Sequence, residues 1–180
     1  MSKWLCILLL VCSAAHAAPE TAPSDDSLAR FMNEKALMAQ FEEMRANVAG
    51  RTSDLVVTAM GFLGVPYRRG GNSAETGFDC SGFVRAMYEQ SVGLILPRQA
   101  IEQAKAAQNI DHSDLQPGDL VFFNTMRRSF SHVGIYVGEG KFIHSPRSGS
   151  QVRVEDMNES YWKKRFNGAR RVTIEALRQH

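Results

Sequence analysis

The feature that most constrains this chain is a change of hydrophobic period near residue 114. Before it, apolar residues recur every three or four positions; after it, they come in short runs separated by turn residues. The first pattern lays an apolar stripe along helices, and the second lays apolar faces on strands. Helices followed by a run of short strands bury both kinds of face by packing N-terminal helices on a mostly antiparallel sheet, an α+β fold. The length of 180 residues bounds the expectation to one domain. With 44% hydrophobic and 22% charged residues, the chain can build an ordinary soluble core.

The stripe Leu28, Phe31, Met38, Phe41, Met44 and Val48 predicts an amphipathic helix over 27–49, capped by Ser27 or Asp25. Thr52 or Ser53 can cap a second helix over 54–63, which Gly64 and Pro66 end. Residues 64–79 read as a loop rich in glycine. A third helix is predicted from Cys80 to Gln90, with Phe83, Val84, Met87 and Tyr88 inward and Gly93 as its stop. A short helix follows Pro97 through Ile101 and Ala104. Asp114 to Asp119 is turn chemistry, and strands are predicted at 120–123, 133–137, 141–144 and 152–154. Gly138-Glu139-Gly140 joins the second and third of these as a hairpin. A short helix over 161–166 and a last strand over 169–174 complete the expectation.

The N-terminus is a different material. Lys3 supplies a positive start, Trp4 to Val11 is apolar, and Ala15-His16-Ala17 offers small residues for cleavage before Ala18. Residues 1–17 therefore read as a secretory signal peptide. Its apolar run is too short to span a bilayer, so no integral span is expected once it is removed. Residues 18–52 read as a linker, opening with the polar stretch APETAPSDD, followed by the extra amphipathic helix. Residues 53–174 are the expected compact domain and 175–180 a tail. The net charge of +2 is too small, and groups such as Arg127-Arg128 too short, to recruit nucleic acid.

Loss of the signal removes Cys6 and Cys12 and leaves Cys80, which cannot form an internal disulfide. Asp79-Cys80-Ser81-Gly82 opens the third predicted helix. A helix N-terminus favours a thiolate through its partial positive charge, and its N–H groups can hold an oxyanion. A merely structural cysteine belongs mid-helix among apolar residues, whereas polar Asp79 and Ser81 flank this one. A nucleophilic cysteine needs a base, and the base an orienting partner. His112 sits in a charged loop and His180 at the terminus, which leaves His132 and His144 on the two hairpin strands. A hairpin centred on Gly138 to Gly140 sets them opposite or diagonal on one face. His132 can then face the thiol while His144 holds the far ring nitrogen, a neutral orienting partner in place of a carboxylate. The alternative use of one cysteine and two histidines is a zinc site. No further cysteine is available in the mature chain and HExxH spacing is absent, so no metal and no cofactor are expected.

These segments carry a resemblance. Gly64-Val65-Pro66-Tyr67-Arg68-Arg69-Gly70-Gly71, Phe78-Asp79-Cys80-Ser81-Gly82-Phe83-Val84, Leu96-Pro97-Arg98, Leu115 to Phe123, His132 to Gly138 and Phe142-Ile143-His144 follow one another as in the NlpC/p60 cell-wall cysteine peptidases, which residues 53–173 resemble. The resemblance implies a papain-like α+β fold and a Cys80–His132–His144 triad. It implies that Tyr67 lines the site near the thiol or oxyanion, and that Asp79 and Ser81 face the N-terminal side of the substrate. It matches Arg98 to an arginine near the cleft, structural more than catalytic. It further implies a murein endopeptidase acting on peptidoglycan stems, at the D,D cross-link or the γ-D-glutamyl bond to a diamino acid, during wall remodelling in the periplasm or after secretion; a monomer is expected. A wall-degrading toxin, an acyltransferase or a non-catalytic wall-binding module are the other uses of such a scaffold.

Overall fold

The structure, a computed structural model, describes residues 25–125 and 128–173; the predicted signal peptide and the tail lie outside them. The chain divides into two compact units, residues 1–42 and 43–180. In the first unit the described residues form the start of helix α1 (Asp25–Met60), and Met32 and Met38 are exposed on it. Of the predicted apolar stripe, Met38 has a described side chain, and it faces solvent.

The two predicted helices over 27–49 and 54–63 are instead the single helix α1. Gly50 does not end it, because an interior glycine costs a helix only about 1 kcal/mol. Thr52 packs its methyl group towards Gly118, where a Cβ would lie 2.6 Å from Thr52 Cγ2. In the second unit, Leu55 and Ala59 are the inward positions of α1.

A two-residue ladder, β1 (Asn72–Ser73) with β2 (Gly77–Phe78), tightens the loop before α2 (Cys80–Val92). Asp79 caps α2 by accepting from Gly82 N, and Gly93 ends it in the left-handed conformation at φ 72°. Helix α3 (Ala100–Lys105) follows. The main sheet contains β3 (Gln108–Ile110), β4 (Leu120–Phe123), β5 (His132–Gly138), β6 (Lys141–His144), β7 (Arg153–Asp156) and β8 (Phe166–Arg171). Its order is β3-β8-β4-β5-β6-β7, antiparallel throughout. Strand β3 was not anticipated, because Gln108-Asn109-Ile110 carries no alternating pattern; its pairing with β8 at the sheet edge creates it. Helix α4 (Ser160–Lys163) is shorter than expected, and β8 starts three residues earlier than predicted, at Phe166.

Alternation along the central strands feeds two cores. Leu120, Phe122, Val133, Ile135 and Ile143 face α2, whose Phe83, Val84, Met87 and Tyr88 are buried against them as the helical period requires. Val121, Phe123 and Phe142 face the other way, under Met157 and Trp162. Strand β4 is buried on both faces, which is why its sequence reads as the unbroken run Leu-Val-Phe-Phe. Tyr88 ties α2 to the turn before β4, donating its hydroxyl to the Gly118 carbonyl at 2.6 Å.

Candidate active site

Cys80 opens α2, and His132 opens β5. Both line one cleft of about 790 Å³, together with Tyr67, Trp162, Arg153 and Glu155. Cys80 is only partly exposed there. Burial pushes its thiol up to about 11, and the neighbouring Asp79 carboxylate adds to this; backbone N–H groups of Val133, Ser81 and Cys80 pull the other way. The N–H groups at the start of the helix thus favour the thiolate, as expected, while the loss of water around the sulfur opposes it.

The two histidines meet. β5 and β6 pair Ile135 with Ile143 and Tyr136 with Phe142, which sets Gly134 opposite His144 and His132 diagonal to it, on one face. The ring nitrogens His132 Nε2 and His144 Nδ1 lie 2.6 Å apart. His132 Nδ1 is thus the ring nitrogen that His144 leaves unengaged. Gly134 is required here by space: a Cβ would stand 2.6 Å from Phe142 Cδ2 and 3.2 Å from His144 Cβ. Burial holds His132 well below the usual imidazole value, and His144 beside it acts in the same sense. A base that is neutral at neutral pH is ready to accept a proton.

Two residues of the site were missed by the sequence reading. Trp162, buried at the end of α4, stacks on the His132 ring at 5.7 Å between centroids and meets His144 edge-on at 5.1 Å. It withdraws both rings from water. Glu155 on β7 contacts His144 Nε2 through Oε2 at 2.6 Å, while Arg153 Nε donates to its Oε1 at 2.9 Å. Glu155 lies at a strand position one step beyond the predicted 152–154, which gave no reason to single it out. Its carboxylate means that the orienting pair is not wholly neutral, contrary to the expectation from His144 alone.

Asp79, Ser81 and Arg98 gather beside the start of α2 and are not among the residues lining the cleft. Arg98 donates to both oxygens of Asp79, from NH1 at 3.0 Å and NH2 at 2.6 Å, and to Ser81 Oγ at 3.0 Å. Asp79 also accepts from Gly70 N at 2.9 Å and Gly82 N at 2.8 Å. This cluster fixes the loop, the cap and the first turn of the helix that carries Cys80. Tyr67, in contrast, faces the cleft, and burial beside Cys80 and Asp79 raises its phenol above the ordinary value.

A cysteine at a helix start, facing a histidine pair on an antiparallel sheet, defines the papain-like class of thiol hydrolase. A profile of the NlpC/P60 family matches residues 64–171, and the chain belongs to that family. It is 45% identical over 131 residues to the murein DD-endopeptidase MepH of Escherichia coli K12, covering 71% of this chain and 48% of that protein. It is 39% identical over 167 residues to the murein DD-endopeptidase MepS/murein LD-carboxypeptidase of the same strain, covering 92% of this chain and 87% of that protein. The chain thus spans about half of the first relative and most of the second. Among solved structures, an NlpC/P60 family protein from Bacillus cereus superposes with a TM-score of 0.62 at 38% identity, over 67% of this chain and 39% of that one.

Proposed function

We propose that this chain is an exported murein endopeptidase that hydrolyses peptide bonds of peptidoglycan with Cys80 as nucleophile, His132 as general base and His144 as its orienting partner. The observation that carries this reading is the contact of His132 Nε2 with His144 Nδ1 in the cleft that Cys80 opens into. The thiol gives its proton to His132 Nδ1 as sulfur bonds to the carbonyl carbon. The carbonyl electron pair becomes an oxyanion, which the backbone N–H groups beside the sulfur and the Tyr67 hydroxyl can receive. His132 then protonates the leaving amine, and water releases the acyl group. No step requires a metal or cofactor.

The D,D cross-link is the preferred bond, supported by the activity for which both relatives above are named. Arg69, Arg128, Arg147 and Arg153 line the cleft, which suits stems that carry free carboxylates. Action lies outside the cytoplasm, in the periplasm, with residues 1–17 as the export signal, 18–52 as linker and helix, and 53–174 as the catalytic domain of a monomer. Asp79, Ser81 and Arg98 support the substrate side from behind the nucleophile.

The test is digestion of purified peptidoglycan by the wild type and by Cys80→Ala, with fragments identified by mass. Shortened cross-linked species appearing as monomers indicate D,D cleavage, and severed stems indicate the γ-D-glutamyl bond. Equal digestion by both proteins would sink the cysteine mechanism.

A further inference from the structure

We propose that Glu155 is a positioning residue whose carboxylate sets the tautomers of both histidines, so that His132 presents a bare Nδ1 to Cys80. This rests on reading Cys80 and His132 as nucleophile and base. Glu155 enters the site through cross-strand register. β6 and β7 pair Phe142 with Glu155 and His144 with Arg153, so Glu155 is diagonal to His144 on the face that also carries His132.

The hydrogen positions follow one from another. An ionised carboxylate can only accept, so the 2.6 Å contact of Glu155 Oε2 with His144 Nε2 requires the hydrogen on that nitrogen. Neutral His144 is then bare at Nδ1. The 2.6 Å contact with His132 Nε2 therefore requires the hydrogen on His132. Neutral His132 is in turn bare at Nδ1, the nitrogen a thiol proton needs. The sequence starts at the charge on Glu155, and Arg153 secures that charge. Its Nε and NH2 sit 2.9 Å and 2.7 Å from Oε1, leaving Oε2 for His144. Burial opposes ionisation of Glu155, but the hydrogen bond from His144 and the Arg153 guanidinium outweigh it and lower the carboxyl below its ordinary value.

The same carboxylate acts during the reaction. When the Cys80 proton reaches His132 Nδ1, the ring becomes an imidazolium under Trp162, away from water. Through His144, that positive charge faces a fixed negative one. No proton passes to Glu155. The other charged groups of the cleft that Glu155 lines are Arg69, Arg128, Arg147, Arg153 and Glu159, and their net positive sign disfavours an imidazolium. Glu155 is thus the acidic group in direct contact with the relay.

Glu155→Gln in the full chain tests this, with two readouts. The first is the pH profile of kcat and KM on a cross-linked stem peptide. The second is the pH dependence of Cys80 alkylation by iodoacetamide, followed by the mass of the peptide containing Cys80. Glutamine should lower kcat about ten-fold to a hundred-fold, in line with the loss of other outer-shell partners. KM should stay within about two-fold, because the interaction is made in the transition state. The acid limb of both profiles should move to lower pH, since His144 loses the carboxylate that holds its proton affinity up. Glu155→Asp keeps the charge and should keep the acid limb. A structural role would lower the melting temperature in both variants and leave the acid limb of Glu155→Gln in place, and that result overturns the proposal. A rise in KM with kcat unchanged also overturns it, by making Glu155 a substrate contact. If the wild type cleaves no wall peptide, the substrate reading fails, and the alkylation profiles alone still decide the role of Glu155.

Discussion

Gly134→Ala is the most informative single perturbation. The glycine sits on β5 opposite His144, and the added methyl carbon would stand 2.6 Å from Phe142 Cδ2, 2.9 Å from the Ile143 carbonyl oxygen and 3.2 Å from His144 Cβ. All three distances are inside ordinary van der Waals contact, and the first two are shorter than real Cβ contacts allow. The ring of Phe142 cannot withdraw easily, because Phe123 and Trp162 pack on it at centroid distances of 4.8 Å and 5.0 Å. The Ile143 oxygen belongs to the backbone of β6. Strands β5 and β6 must therefore separate. Overpacking of a core costs typically about 1–3 kcal/mol, and the backbone contact argues for the upper end. At about 2–4 °C per kcal/mol for a chain of this size, the melting temperature should fall by roughly 6–12 °C. The same separation pulls His144 from His132, whose rings now touch at 2.6 Å. Misplacement of a catalytic group by about 1 Å can cost about a hundred-fold in rate. The assay is kcat/KM on a defined cross-linked stem peptide, well below the variant's melting temperature, so that loss of rate reports geometry and not unfolding. A variant with wild-type melting and wild-type kcat/KM would refute the claim that Gly134 makes room for the histidine pair.

Two further outcomes are expected. His132→Ala should be nearly as inactive as Cys80→Ala, because members of one catalytic unit are not additive, whereas His144→Gln should retain part of the rate since its amide can still accept from His132 Nε2; kcat/KM of the three variants checks this, and the reverse order would exchange base and orienter. Burial lowers the folded values of both His132 and His144 below 6.5, so the unfolded chain takes up more protons in acid. Stability should be full above pH ~6.5 and decline as pH falls below it, until the lowered folded values are reached, at up to about 1.4 kcal/mol per pH unit for each ring. Urea unfolding at about pH 7.5 and pH 5.5 measures the difference, and equal midpoints would contradict the buried neutral pair.

Local chemistry in the chain determined where Cys80 sits and what flanks it. Asp79 before Cys80 and Gly93 after Val92 delimit α2 by capping, an interaction among neighbours in sequence, and the start at Cys80 and the stop at Gly93 are where they were expected. The change of period near residue 114 likewise determined the fold class, because burial on one face imposes a period of 3.6 or 2 on the residues themselves. The histidine pair was legible for a related reason: the Gly138-Glu139-Gly140 turn sets the hairpin register, with Glu139 at φ 52° and both glycines at positive φ. That register carries His132 to a diagonal of His144. Three things were decided only by the tertiary structure. The continuity of α1 through Gly50 is one, because an interior glycine is too weak a stop for local sequence to decide the matter. The protonation of Cys80 depends on how much water the assembled cleft removes, and burial there outweighs the helix N-terminus that the sequence makes visible. Trp162 and Glu155 join the site because α4 covers the sheet face and β7 pairs with β6; neither residue is near His132 or His144 along the chain, and only the packed fold brings their side chains to those rings.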